Sequence, residues 1–276
     1  MTQRSQFRFT RSRHVPGLTM LRAAMSDFSY DRHAHEEYAF GVTLAGRQDF
    51  FSGGEYHRSR PGTIIEFNPD EVHDGQAGGN DTLDYVMLYA DPAQLAPLFA
   101  SAAGRESASQ FRAAETLIHD GALRGEILDL ARRIDTDTGS RIDQEYALYR
   151  IAARLVQRTG NLDEDVSTGR TDKLLERAKT FIHAHAEHDI SLEEISQAAH
   201  LSKYHFLRLF RRQFGITPHQ YVLNCRINAA RSALDAGHEL NDVVGRYGFA
   251  DLSHFNRRFK RIYGMTPRQY QRNVIV

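Results

Sequence analysis

Three histidines in the first third of the chain have the type and spacing for ligand chemistry. His33-Ala34-His35 is an H-x-H pair, and residues two apart on an extended strand point to one side. Glu37 would share that side. Two imidazoles and a carboxylate make the mixed nitrogen and oxygen set that suits a first-row metal. His73 and Asp74 follow, and Tyr38 offers a hydroxyl. The same groups can also line a pocket and hydrogen-bond a polar small molecule. We expect the second use, with His33, His35, Tyr38, His73 and Asp74 as effector-binding groups, no metal and no cofactor.

A second concentration of chemistry is cationic and lies near the C-terminus. The whole chain of 276 residues is formally neutral, with 35 Lys+Arg against 35 Asp+Glu. The balance is uneven along it. Residues 172–276 hold 16 basic against 10 acidic residues, and from Lys203 onward the count is 13 against 4. An acidic front joined to a basic back is the asymmetry of a protein in which one part meets phosphate.

That basic region repeats itself. At a shift of 49 residues, 203–221 and 252–270 agree at ten of 19 positions, including His205/His254, Phe206/Phe255, Arg208/Arg257, Phe210/Phe259, Gly215/Gly264 and Thr217-Pro218/Thr266-Pro267. One supersecondary unit therefore occurs twice. Each copy reads as a short helix, a tight turn and a second helix. Ser191 with Glu194 forms a capping box for the first, and Ser202 sits at the start of the second. Leu240, Val243, Val244 and Tyr247 form the short helix of the second copy. Gly215 and Gly264 end the longer helices, and Thr-Pro starts the helix after each.

Short helix, turn and basic second helix describe the DNA-binding helix-turn-helix. The first recognition helix offers Lys203, Tyr204, His205, Leu207, Arg208, Arg211 and Arg212. The second offers Leu252, Ser253, His254, Asn256, Arg257, Lys260 and Arg261. Arg208 and Arg257 are equivalent, and arginine contacts guanine bidentately, so these two are expected to read bases. Arg211, Arg212, Lys260 and Arg261 are expected to meet phosphates. Pro218–Leu234 joins the units. As a helix it spans roughly 25 Å at 1.5 Å per residue, which suits two helices about one DNA turn, roughly 34 Å, apart.

Ahead of this region lie two others. Residues from about 20 to 90 read as short strands, among them 38–44, 62–67 and 83–89, divided by Gly-rich turns such as 77–80. Residues from about 92 to 160 turn helical, with Leu123, Ile127, Leu130 and Ile134 on one apolar face, then Tyr146, Leu148, Ile151, Leu155 and Val156 on another. The polar stretch 161–171 reads as a linker. The expectation is an α+β multidomain protein: a first domain over 1–160, with a β-barrel or sandwich and flanking helices, then an all-α domain over 172–276 with two helix-turn-helix units.

Several alternatives fall away. No apolar stretch reaches membrane-span length, and the polar start, Met1 to Thr10, has no signal core, so a cytoplasmic protein with no membrane partner is expected. No Gly-rich phosphate loop, hydrolase elbow or H-E-x-x-H appears. Cys225 is the only cysteine and falls within the joining helix, so a reactive front-half thiol, as a DNA-repair methyltransferase would need, is absent. His183, His185 and His188 read as a polar helix face.

The doubled unit resembles the C-terminal domain of the AraC/XylS family of bacterial transcription regulators. The similarity covers about 172–273 and includes the run from Gly248 to Lys260, ending in Tyr263 to Tyr270. It implies promoter binding and activation through RNA polymerase. The front half is similar to the family's cupin-type sensor, on His33 to Tyr38, Gly46, Arg60-Pro61-Gly62 and Asn68 to Gly75. That implies a cupin-like β-barrel in a sensing and dimerisation domain over 1–160, with a small-molecule effector and a homodimer. The alternative is a metal-dependent cupin oxygenase fused to a DNA-binding domain. Enzymatic cupins share the H-x-H, but here the glutamate follows it too closely. The resemblance therefore implies a regulator and not an enzyme.

Overall fold

The computed structural model describes residues 5–79, 81–105, 111–159 and 170–273. The chain forms two compact units, one of Met1–Ser29, Glu36–Asp165 and Arg272–Val276, the other of Tyr30–His35 and Val166–Gln271. Most of the stretch expected as a linker lies outside the described residues.

The strand-rich part is built from two antiparallel sheets. The larger has the order β1-β2-β9-β4-β7-β10, with β1 Gln6–Arg11, β2 Leu18–Met25, β4 Tyr38–Ala45, β7 Ile64–Phe67, β9 Leu83–Ala90 and β10 Leu117–Ile118. The smaller has the order β3-β8-β5-β6, with β3 Ser29–His33, β5 Gln48–Ser52, β6 Glu55–Ser59 and β8 His73–Ala77. Alternation along β4 sends Tyr38, Phe40 and Val42 to one face, where they pack with Leu123, Ile127 and Leu130 of the covering helices. Thr43 faces the other way, and its hydroxyl meets that of Ser59 on β6 at 2.6 Å.

Three helices follow: α1 Pro92–Ala102, α2 Gly121–Asp135 and α3 Arg141–Thr159. Asp91 and Asp120 cap the first two by accepting backbone N–H bonds. Leu123, Ile127, Leu130 and Ile134 bury one face of α2, and Leu148, Ile151 and Leu155 bury one face of α3, as their spacing requires.

Four details differ from the sequence reading. Strands begin at Gln6, well before residue 20, because alternating Phe7 and Phe9 sit within a stretch whose charged residues mask them. The short β10 interrupts the helical region. Tyr146 lies outside the buried face of α3: it is 60% exposed, and Ile142 is 72% exposed beside it. And β3 ends at His33, so His35 and Glu37 lie in the connection to β4 rather than on one strand with His33.

The C-terminal part is helical throughout: α4 Arg170–Ala184, α5 Leu192–Ala198, α6 Lys203–Phe214, α7 Pro218–Asp235, α8 Leu240–Arg246, α9 Leu252–Tyr263 and α10 Pro267–Asn273. Phe206, Phe210, Phe255 and Phe259 are completely buried, each side chain contributing about 1.5–3 kcal/mol by its removal from water.

Candidate nucleic-acid interface

The two helix-turn-helix units are α5–α6 and α8–α9. In each, the short helix ends on a residue in the left-handed conformation, His200 at φ 52° and Gly248 at φ 67°. Two backbone bonds close both turns in the same way. Leu201 N–H donates to Ser196 O at 3.0 Å and His200 N–H to Gln197 O at 2.9 Å; Phe249 and Gly248 repeat this onto Val244 and Gly245 at 3.1 and 3.3 Å. This is the Schellman arrangement, which satisfies the carbonyls left over at a helix end. Ser191 and Glu194 form the reciprocal capping box that starts α5.

The recognition helices then begin differently. The Asp251 side chain accepts from His254 N–H at 2.6 Å and caps α9. Ser202 occupies the same place before α6 without a side-chain bond to the helix. Both helices end on a left-handed glycine, Gly215 or Gly264. Thr217 with Gln220 and Thr266 with Gln269 form matching capping boxes for α7 and α10.

The outer faces carry the charge. Arg208, Arg211, Arg212, Arg257, Arg258 and Lys260 are exposed, and among the described residues no ion pair engages them. Lys203 is held back by Glu193 of α5 at 2.6 Å, which raises its pKa and lowers that of the glutamate. Arg261 meets Asp31 at 3.2 Å, a contact internal to the second unit. Tyr204, His205 and Ser253 are exposed, whereas Leu207, Leu252 and Asn256 are half-exposed. His254 turns toward the Phe249 ring, edge-on at 5.9 Å. Arg258 was missed by sequence reading, because its repeat equivalent is the buried Leu209; the break in the repeat was the available signal.

The histidines expected on a polar helix face take part in packing instead. His183 Nε2 and the Tyr221 hydroxyl lie 3.0 Å apart and Cys225 Sγ is 3.9 Å from the same nitrogen, so His183 belongs to packing between α4 and α7 rather than to a polar face. His185 stacks on Phe181.

The candidate effector groups of the strand-rich part differ in their surroundings. The rings of His33 and His35 lie 6.2 Å apart and both are buried. Burial, and then the neighbouring His35, push the His33 pKa down to about 4, so its imidazole is neutral near pH 7. His33 Nδ1 donates to Asp31 O at 2.7 Å. His73 stacks flat on Phe67 at 3.8 Å, and its Nδ1 donates to Glu71 O at 2.8 Å. Asp74 accepts from Phe51 N–H at 2.7 Å. Tyr38 faces the covering helices, where its hydroxyl donates to Phe111 O and burial pushes its pKa up to about 12. Sequence reading also passed over Glu66. It is buried on β7, among the described residues neither carboxylate oxygen has a hydrogen-bond partner, and desolvation raises its pKa to about 8.

Comparison with known proteins agrees with this geometry. An AraC-like ligand binding domain matches residues 15–152, half of the chain, and a helix-turn-helix domain matches 195–273. The chain belongs to the AraC family of transcriptional regulators. It is 26% identical over 224 residues to YbfI, a helix-turn-helix-type transcriptional regulator of Bacillus subtilis strain 168, covering 81% of this chain and 80% of that one. It is 24% identical over 223 residues to the XylDLEGF operon transcriptional activator of Pseudomonas putida, covering 78% and 68%. In three dimensions it is similar to ToxT from Vibrio cholerae, with a TM-score of 0.61 at 11% identity over 94% of this chain and 99% of that one.

For an AraC-family chain the parts take their roles directly. The doubled helix-turn-helix is the DNA-binding element and the strand-rich domain the ligand-binding one, in a family of regulators rather than enzymes. Among the described residues no group of three metal-ligating side chains comes together, and no helix is long and apolar enough to cross a membrane.

Proposed function

We propose that this AraC-family regulator binds promoter DNA by placing α6 and α9 in consecutive major-groove segments, and that a polar small molecule in the N-terminal barrel controls that binding. One observation carries the reading: the same cationic face is built twice, once on each recognition helix, and six of its cations have no ion-pair partner among the described residues. Arg208 and Arg257 read guanine. Arg211, Arg212, Lys260 and Arg261 hold phosphates, with Arg261 exchanging Asp31 for DNA. The linker helix α7, 18 residues or roughly 27 Å, sets the separation.

The buried imidazole of His33, neutral near pH 7, suits hydrogen bonding to a polar ligand, and His35, His73 and Asp74 are the further groups we assign to effector binding. The exposed Ile142 and Tyr146 on α3 supply an apolar face for a homodimer. Activation is supported by the P. putida relative, which is named as an activator, and we assign it to contact with RNA polymerase. The site of action is the cytoplasm, where promoter DNA lies.

The test is recovery of genomic fragments by the purified full chain, followed by salt titration of the best fragment. Enrichment of a promoter is expected, with log affinity falling by roughly 0.9 per phosphate contact for each unit of log salt. Recovery without sequence preference would overturn the reading.

A further inference from the structure

The repeat that makes the two recognition helices alike also shows where they part. At the shift of 49 residues, Tyr204 corresponds to Ser253 and Leu207 to Asn256, and each of the latter pair directly precedes the arginine shared by both helices. Residues three apart on a helix are neighbours. Tyr204 and Leu207 thus form an apolar patch at the tip of α6, while Ser253 and Asn256 form a hydroxyl and amide patch at the tip of α9.

Neither patch is needed for the fold. The inward face of α6 is Phe206, Leu209 and Phe210, and Tyr204 is 87% exposed, above the other large hydrophobic side chains that reach water among the described residues. The Asn256 side chain makes no hydrogen bond within the protein among those residues, although the segment around it is well bonded. Tyr204 and Leu207 lie beside Arg208, and Ser253 and Asn256 beside Arg257, on the stretch of each helix that carries the candidate base-reading arginine.

We infer that the two helices read chemically different base pairs: α6 packs Leu207 and Tyr204 against thymine 5-methyl groups, and α9 hydrogen-bonds adenine through Asn256. The thymine methyl is the one apolar group in the major groove. Adenine presents an N7 acceptor beside an N6 donor, which matches the two ends of an amide. With Arg208 and Arg257 next to them, the operator is a pair of unlike segments about one DNA turn apart, thymine beside guanine in one and adenine beside guanine in the other. The inference rests on the assignment of α6 and α9 as recognition helices.

The test starts with selection of bound duplexes from a random library by the full wild-type chain. Base analogues are then placed in the selected site. Deoxyuridine in place of thymine removes only the methyl and should weaken binding about 4-fold at the α6 segment, the equivalent of about 0.8 kcal/mol for one buried carbon. 7-Deazaadenine removes only the N7 acceptor and should weaken binding about 10-fold or more at the α9 segment. Two variants check the assignment to residues. Leu207→Asn should abolish the deoxyuridine effect and leave the deazaadenine effect, and Asn256→Leu should do the reverse. A selected site indifferent to both analogues, or variants that leave both effects in place, would overturn this inference while leaving DNA recognition intact. Failure to select any sequence would overturn the underlying assignment as well.

Discussion

The two helix-turn-helix units have nearly the same interior and different edges. Phe210 meets Tyr221 edge-on at 5.5 Å in the first, and Phe259 meets Tyr270 edge-on at 5.5 Å in the second. Phe206 to Phe210 is 5.3 Å, and Phe255 to Phe259 is 5.5 Å. The turns close through the same backbone bonds. Yet the left-handed position is histidine in one and glycine in the other, one recognition helix has a side-chain cap and the other none, and the outer faces diverge around a shared arginine. The lesson is that the repeated sequence encodes the scaffold, because ring packing tolerates little, whereas solvent-facing positions are free to take on separate tasks.

Substitutions at paired positions can break or sharpen this comparison. The largest effect belongs to the interiors. Phe210→Ala and Phe259→Ala should each cost about 3–5 kcal/mol in urea denaturation. A loss confined to one of the two would show that the ring stacks are not equivalent. Next come the shared arginines. Arg208→Ala and Arg257→Ala should each weaken binding to the selected operator by about 1–3 kcal/mol and relax preference at one base pair, a different one for each variant. Competition titrations read both effects, and unchanged affinity in either variant would remove that helix from base reading.

The caps should then separate the units. Asp251→Ala is expected to lower stability by about 1 kcal/mol, while Ser202→Ala, with no bond to lose, should change it by a few tenths at most. The smallest contrast lies in the turns. Gly248→Ala should destabilise by about 1 kcal/mol, since alanine resists a positive φ and its methyl would come within 3.3 Å of Arg226. His200→Gly should stabilise by up to about 1 kcal/mol for the opposite reason. A thermal melt of each variant distinguishes the signs.

Much of the helical domain was legible because its information is local and doubled. Capping residues, Thr-Pro starts and glycine ends sit within a few positions of the elements they bound, and the second copy repeats the first. The barrel gave less. The run Phe7, Phe9 was hidden by interspersed arginines, although β1 pairs along its whole length with β2. Tyr38 was grouped with the histidines by proximity in sequence, but alternation on β4 aligns it with Phe40 and Val42, under the helices. His33 and His35 were expected to share a strand, and a chain bend after His33 undoes that premise. The isolation of Glu66 depends on partners that are distant in sequence and was invisible to any local pattern.

The joining helix α7 has a consequence of its own. Ten of its 18 residues are buried, and capped ends fix where it starts and stops. A rigid rod of this kind behaves as a toothed gear between the two reading heads. Exchange of an outward-facing side chain leaves the teeth engaged, but adding a single residue turns the second head by about 100° and advances it by about 1.5 Å. Residue count in α7 is therefore inherited as a quantity separate from residue identity. Sequence drift can rewrite much of the rod's outer surface, while an insertion or deletion of one codon would leave two intact heads out of phase on the same DNA.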